Sequence, residues 1–207
     1  DIGRLLAVVG GSMGGMQVLQ WAIRYPDMVE AALCIAATTR LNAQSIAFDA
    51  VGRNAILADA DFDGGQYHGH DGPHRGLAIA RMIGHITYLS EQSMRAKFGR
   101  QLRHTTDYKY DFDSEFSVET YLDHQSRTFI GRFDANSYLY ITKAMDYFDL
   151  KREYGSLEAA FSKSRCRFLV VSFSSDWLFA PEQSEEIVHA LGAVGTDVTY
   201  CNIQSSY

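Results

Sequence analysis

A strand-like run that breaks into glycines around one serine, and then turns straight into a helical pattern, limits the fold more than any other feature of this chain. Leu5-Leu6-Ala7-Val8-Val9 is continuously apolar over the length of a strand, the pattern of a strand covered on both faces in a parallel sheet. Gly10-Gly11-Ser12-Met13-Gly14-Gly15 interrupts it. Met16, Leu19, Gln20 and Ile23 then recur at helical spacing until Tyr25-Pro26-Asp27 stops the helix, and Ala31–Ala37 reads as the next buried strand. Strand, tight turn, helix and strand make a βαβ unit.

Gly10-x-Ser12-x-Gly14 in that setting fits a nucleophile elbow. The turn forces the serine into a strained backbone conformation, and side chains at the flanking positions would collide with the neighbouring strand and helix. Ser12 would project its hydroxyl above the sheet edge, at a helix N-terminus that favours developing negative charge. The backbone N–H of Met13 would supply half of an oxyanion hole. Two other readings remain open at this point. A glycine-rich turn also cradles phosphates in dinucleotide-binding folds, although that reading wants an acid after the second strand, where Thr38-Thr39-Arg40 stands instead. A tight turn with an incidental serine is the plainer alternative.

The tail repeats the α/β theme. Arg167–Phe173 is a buried strand, Pro181-Glu182 opens a helix running to about Leu191-Gly192, and Asp197–Ile203 is a further strand. Between the two halves the βα rhythm disappears over residues 41–165. Helical patterns at 77–86, 118–129, 137–148 and 156–162 predict a helical lid inserted at one end of a mostly parallel sheet. The expected division is therefore core at 1–40, lid at 41–165 and core again at 166–207.

Composition closes off other classes. At 46% hydrophobic and 21% charged residues the chain has enough apolar surface to fold, which excludes a disordered protein. No apolar run reaches the roughly 18 residues needed to span a bilayer, and a net charge of -6 argues against tracking nucleic acid. Three cysteines form no disulfide framework, so a reducing, cytoplasmic setting is expected.

A serine nucleophile needs an acid and a base. Asp176 lies one short loop after the strand Arg167–Phe173, where the acid of an α/β-hydrolase triad belongs. Of the seven histidines, His189 alone follows Asp176, and it falls inside a helix. The base is expected after the strand Asp197–Ile203, beyond Tyr207, and the strands that normally precede an elbow are expected before Asp1.

The chain resembles the homoserine O-acetyltransferases. The resemblance rests on Gly10-Gly11-Ser12-Met13-Gly14-Gly15-Met16-Gln17 with Trp21 and Tyr25-Pro26; on Gly76–Ile83 leading into Thr87-Tyr88; on Arg132-Phe133-Asp134-Ala135-Asn136-Ser137-Tyr138; and on Ser175-Asp176-Trp177-Leu178-Phe179. It implies an α/β-hydrolase core, a lid that forms a homodimer interface, and acetyl transfer from acetyl-CoA to the hydroxyl of L-homoserine on the route to methionine. Ser12 would carry the acetyl group in a ping-pong reaction, Asp176 would orient the base, Arg81 would pair with the homoserine carboxylate, and Tyr88 would line the same pocket. No bound cofactor or metal is implied, with acetyl-CoA serving as co-substrate. Relatives that use succinyl-CoA tend to carry an arginine two residues after the acid; here that position is Leu178, which favours acetyl. A succinyltransferase or a serine esterase on the same fold is the alternative.

The remaining signals are weaker. Tyr67-His68-Gly69-His70-Asp71-Gly72-Pro73-His74 holds the residue types of a zinc site, but a mobile glycine-rich loop is the expected reading. The aromatic and acidic residues of 107–149 fit an amphipathic lid. Cys34 and Cys201 are expected inside buried strands as small hydrophobes.

Overall fold

The structure, a computed structural model, describes every residue except Asp1, His68, His70, His104, Ser206 and Tyr207. It divides into two compact units, Asp1–Asn42 with Met145–Ser206, and Ala43–Ala144.

The first unit is built on a parallel sheet of β1 (Val8–Gly11), β2 (Ala31–Ile35), β3 (Arg167–Phe173) and β4 (Val198–Ile203), in that spatial order. α1 (Met13–Arg24) joins β1 to β2, and α9 (Pro181–Ala193) joins β3 to β4. Alternate residues of the strands face one continuous core. Ala32 and Cys34 of β2, with Phe168 and Val170 of β3, pack against Leu19 and Ala22 of α1 and Ile187 and Leu191 of α9. The opposite face is less covered than continuous apolar strands predict: Val9 is 61% and Ile203 41% exposed. Cys201 shares that face and is exposed, not buried, whereas Cys34 is buried, with its thiol pushed up to about 12 by desolvation.

The first strand also sits later than its apolar run. Leu5 makes a single bridge to Val29 and Leu6 is exposed, while Gly10 and Gly11 belong to the strand because they pair with Cys34 and Ile35. The glycines therefore carry the strand up to the serine.

The sheet unit resumes at Met145 rather than near 166, because two short helices within residues 41–165 belong to it. α7 (Leu150–Tyr154) and α8 (Leu157–Phe161) place Leu150, Leu157, Ala160 and Phe161 in the same core as β3 and α9. Asp149 and Ser156 cap them by accepting the backbone N–H of Arg152 and Ala159.

The second unit is helical: α2 (Ala43–Leu57), a 3-10 turn at Ala60–Gly65, α3 (His74–Thr87), α4 (Glu91–Lys97), α5 (Ser117–Ile130) and α6 (Ala135–Tyr147), the last running past the unit boundary. Its core gathers Ile56, Leu77, Ala80, Phe129 and Ala135. α2 and α3 approach so closely that a β-carbon on Gly76 would lie 2.4 Å from the carbonyl oxygen of Ala55. Asp59 serves both ends of the intervening segment, accepting the N–H of Asp61 through Oδ1 and that of Gly76 through Oδ2. Among the described residues no helix is long and apolar enough to cross a membrane.

Candidate active site

Ser12 sits between β1 and α1 with φ 55° and ψ −123°, a conformation that costs a non-glycine residue on the order of 1–3 kcal/mol. Its backbone is held there from the neighbouring strand. The Ser12 N–H donates to the carbonyls of Ile35 and Ala36, at 3.0 and 3.1 Å, just where β2 ends. The side chain makes no capping hydrogen bond to α1, and the residue is exposed, so the hydroxyl is presented rather than spent on structure. Met13 is the first residue of the helix, and an amide at that position has no carbonyl to meet within the helix. It is therefore available to an oxyanion formed beside Ser12.

The glycines divide this work unequally. A β-carbon on Gly10 would stand 2.3 Å from the Gly14 carbonyl oxygen, and one on Gly15 would stand 2.4 Å from the Ala37 β-carbon. A β-carbon on Gly14 would meet nothing within 4 Å. Close approach of β1 and β2 to α1 thus requires Gly10 and Gly15, and Gly14 of the three-residue spacing is sterically free.

Asp176 follows β3 on the same edge of the sheet. β2 alone separates β1 from β3, a span of about 10 Å at the usual strand spacing. Its Oδ1 accepts the N–H groups of Leu178 and Phe179, at 3.0 and 2.8 Å, which fixes the carboxylate in a tight loop. Burial pushes the carboxyl above the usual carboxylate range, and those two N–H donors pull it back. Both bonds use Oδ1. Ser174 ties the segment leaving β4 to this loop: its hydroxyl exchanges hydrogen bonds with the N–H and carbonyl of Ser205. His189 lies on α9, exposed, beside Glu185 and Glu186 over a groove that Lys151 and Glu158 also line. It is not on the sheet edge that carries Ser12.

Thr38 and Thr39, which a nucleotide reading would turn towards a ligand, are buried and engaged internally. Thr39 donates to Glu186 at 2.7 Å and Thr38 to the Arg40 carbonyl at 2.7 Å. Leu178 packs against the apolar cluster of Met16, Leu41 and Phe179.

In the helical unit Arg81 lies on α3, and Tyr88 follows two turns later at the C-cap of that helix. The Arg81 guanidinium carbon is 5.7 Å from the centre of the Tyr88 ring and 4.5 Å from that of Phe129 on α5. Its Nε is buried without a hydrogen-bond partner, and among the described residues no carboxylate pairs with it. Tyr88 is 58% exposed. Phe129, His85 and Tyr121 complete this group and escaped the sequence reading, although His85 follows Arg81 by the four residues that place two side chains on one helix face. The Arg132–Tyr138 segment works as scaffold. Asp134 accepts the Ser137 N–H at 2.7 Å and the Tyr67 hydroxyl, while Asn136 donates to the Gly65 carbonyl at 3.0 Å.

Of the His-rich turn, His68 and His70 lie outside the described residues. His74 opens α3. Among the described residues no group of three or more His, Cys, Asp or Glu stands close enough to hold a metal ion.

Comparison with known proteins adds to this geometry. A family model described as alpha/beta hydrolase fold matches residues 1–204. Homoserine O-acetyltransferase of Methanohalobium evestigatum is 56% identical over 206 residues, covering 100% of this chain and 42% of that protein. Homoserine O-succinyltransferase of Halothiobacillus neapolitanus is also 56% identical, over 203 residues, 97% of this chain and 50% of its own length. This chain thus spans about half the length of the curated relatives it matches. Among solved structures, homoserine O-acetyltransferase from Bacillus anthracis superposes with a TM-score of 0.89 at 26% identity, covering 98% of this chain and 54% of that one. Esterase E22 superposes at 0.87 with 25% identity, covering 99% and 56%.

Proposed function

This chain belongs to the α/β hydrolase fold family, and from that premise we propose that it carries the nucleophile, the catalytic acid and the acceptor-binding lid of an acyltransferase that moves an acetyl group from acetyl-CoA to the hydroxyl of L-homoserine. The Ser12 hydroxyl attacks the thioester carbonyl, and its proton passes to a base held by Asp176. The tetrahedral oxyanion rests on the Met13 N–H until the thiol of CoA leaves with that proton. The homoserine hydroxyl then gives its proton to the same base and attacks the acetyl-serine, which releases O-acetylhomoserine and restores Ser12. The base belongs, in this proposal, to a histidine following β4 in the whole protein, since that segment is tied at Ser205 to the loop that presents Asp176.

Arg81 carries the choice of acceptor. A guanidinium held among aromatic rings without a carboxylate partner suits the carboxylate of an amino acid and has little use for a neutral ester. In the full-length protein, Arg81→Ala should raise the homoserine KM by one to two orders of magnitude, roughly the worth of a charge-assisted pair. Acetylation of Ser12 by acetyl-CoA should persist. Equal loss of both half-reactions would refute the assignment.

A succinyl donor is the second reading, because a relative bearing that name is as similar as one named for acetyl transfer. Leu178 favours acetyl, since an apolar side chain packed among Met16, Leu41 and Phe179 offers no charge to a succinyl carboxylate. Comparing the two acyl-CoAs in the same assay separates them. A homodimer formed through the helical unit, a cytoplasmic setting and a place in methionine synthesis belong to the same proposal.

A further inference from the structure

An arginine that must bind a carboxylate faces a difficulty of its own. A protein carboxylate would hold the guanidinium in place, but it would also neutralise it and compete with the ligand. The helical unit solves this with aromatic faces. Phe129 lies under the Arg81 guanidinium at 4.5 Å, is 8% exposed, and is fixed by a stacked contact with Phe133, with ring centres 4.7 Å apart and planes 18° apart. A ring face attracts the cation through its quadrupole and leaves the in-plane N–H edge free for a ligand. One turn along α3, His85 contacts Tyr121 of α5 through Nδ1 at 2.8 Å, and its own ring meets Tyr88 edge-on. Phe98 packs against Tyr121, with centres 4.9 Å apart. Burial and the charge on Arg81 both keep His85 below the usual histidine range.

We propose that Phe129 is a positioning residue for acceptor binding, acting through Arg81: its face holds the guanidinium without neutralising it, and so keeps the charge available for the acceptor carboxylate. The inference rests on the reading that Arg81 takes the carboxylate of homoserine.

The test is a double-mutant cycle in the full-length enzyme with Phe129→Leu, Phe129→Tyr, Arg81→Ala and the Phe129→Leu/Arg81→Ala pair. Each is measured for homoserine KM, for kcat, and for CoA release from acetyl-CoA in a single turnover without acceptor. Phe129→Leu should raise the homoserine KM about three- to tenfold, the range of a partly desolvated cation–π contact, while CoA release stays within about twofold. Phe129→Tyr, which keeps the ring face, should restore the KM. In the Arg81→Ala background Phe129→Leu should add nothing, because its route to the ligand is gone. An undiminished effect in that background, or equal loss of CoA release, would show that Phe129 acts through the fold alone and would overturn the inference. If Arg81→Ala itself leaves the homoserine KM unchanged, the acceptor reading falls and the inference goes with it, an outcome distinct from failure of Phe129 alone.

Discussion

The two units of this protein hold their candidate residues in opposite ways. In the sheet unit the backbone does the work: Ser12 is held at φ 55°, pinned by hydrogen bonds to the end of β2, and its hydroxyl is left free. In the helical unit the backbone of α3 is regular and side chains do the work, with Arg81 placed by rings from its own helix and from α5. Strain stored in a turn demands glycines beside it, which makes such a site local in sequence. A site assembled from faces of separate helices leaves no such trace, because Arg81 and Phe129 lie far apart along the chain.

The contrast breaks first at the acid. Asp176→Asn should leave the fold standing, since one amide oxygen can still accept the Leu178 and Phe179 N–H groups. Turnover of the full-length enzyme should fall by about four orders of magnitude, as when a triad loses the carboxylate that orients its base. A loss below tenfold would remove Asp176 from the triad. Steady-state kinetics beside a thermal melt decides this.

Steric demands sharpen the comparison next. Gly10→Ala and Gly76→Ala each put a methyl group against backbone, at 2.3 Å from the Gly14 carbonyl oxygen and 2.4 Å from that of Ala55. Each should cost about 2–4 kcal/mol of stability by denaturant unfolding, within the range of overpacking and backbone displacement. Gly14→Ala meets nothing within 4 Å and should be neutral or stabilising by up to about 1 kcal/mol, as a helix position that gains a better helix former. If Gly14→Ala destabilises as much as Gly10→Ala, the division of labour among the elbow glycines is wrong.

These cases mark what was legible. Gly10, Ser12, Asp176 and Pro181 announce themselves because a strained turn, a loop after a strand and a helix start each need particular residue types. α2 did not, because it buries Ser45, Gly52 and Ile56 and so shows no apolar stripe of helical period. The end of β1 is hidden in the sequence because two glycines look like a turn, although here they pair with Cys34 and Ile35. The exposure of Cys201 is not legible because an apolar strand does not show which of its faces is covered. Arg81 and Tyr88 are legible only through resemblance to a family, and Phe129 and His85 only through the packing of α3 on α5.

The smallest expected effect concerns His85. Burial, and then the charge on Arg81, lower its affinity for a proton in the folded state. Above about pH 6.5 the folded and unfolded chains are both neutral there, and no stability is lost. As the pH falls below that value the unfolded chain takes up a proton that the folded one refuses, so stability declines. His85→Gln should flatten this decline in melting temperature against pH, and an unchanged slope would place the acid sensitivity elsewhere.

In the proposed reaction Ser12 is the residue that carries the acyl group. Full-length protein incubated with acetyl-CoA and no acceptor, then digested and weighed by mass spectrometry, should show one acetyl group on the peptide containing Ser12, and adding L-homoserine before digestion should remove it. An acetyl group on a different residue, or none on Ser12 while O-acetylhomoserine still forms, would rule Ser12 out as the acyl carrier.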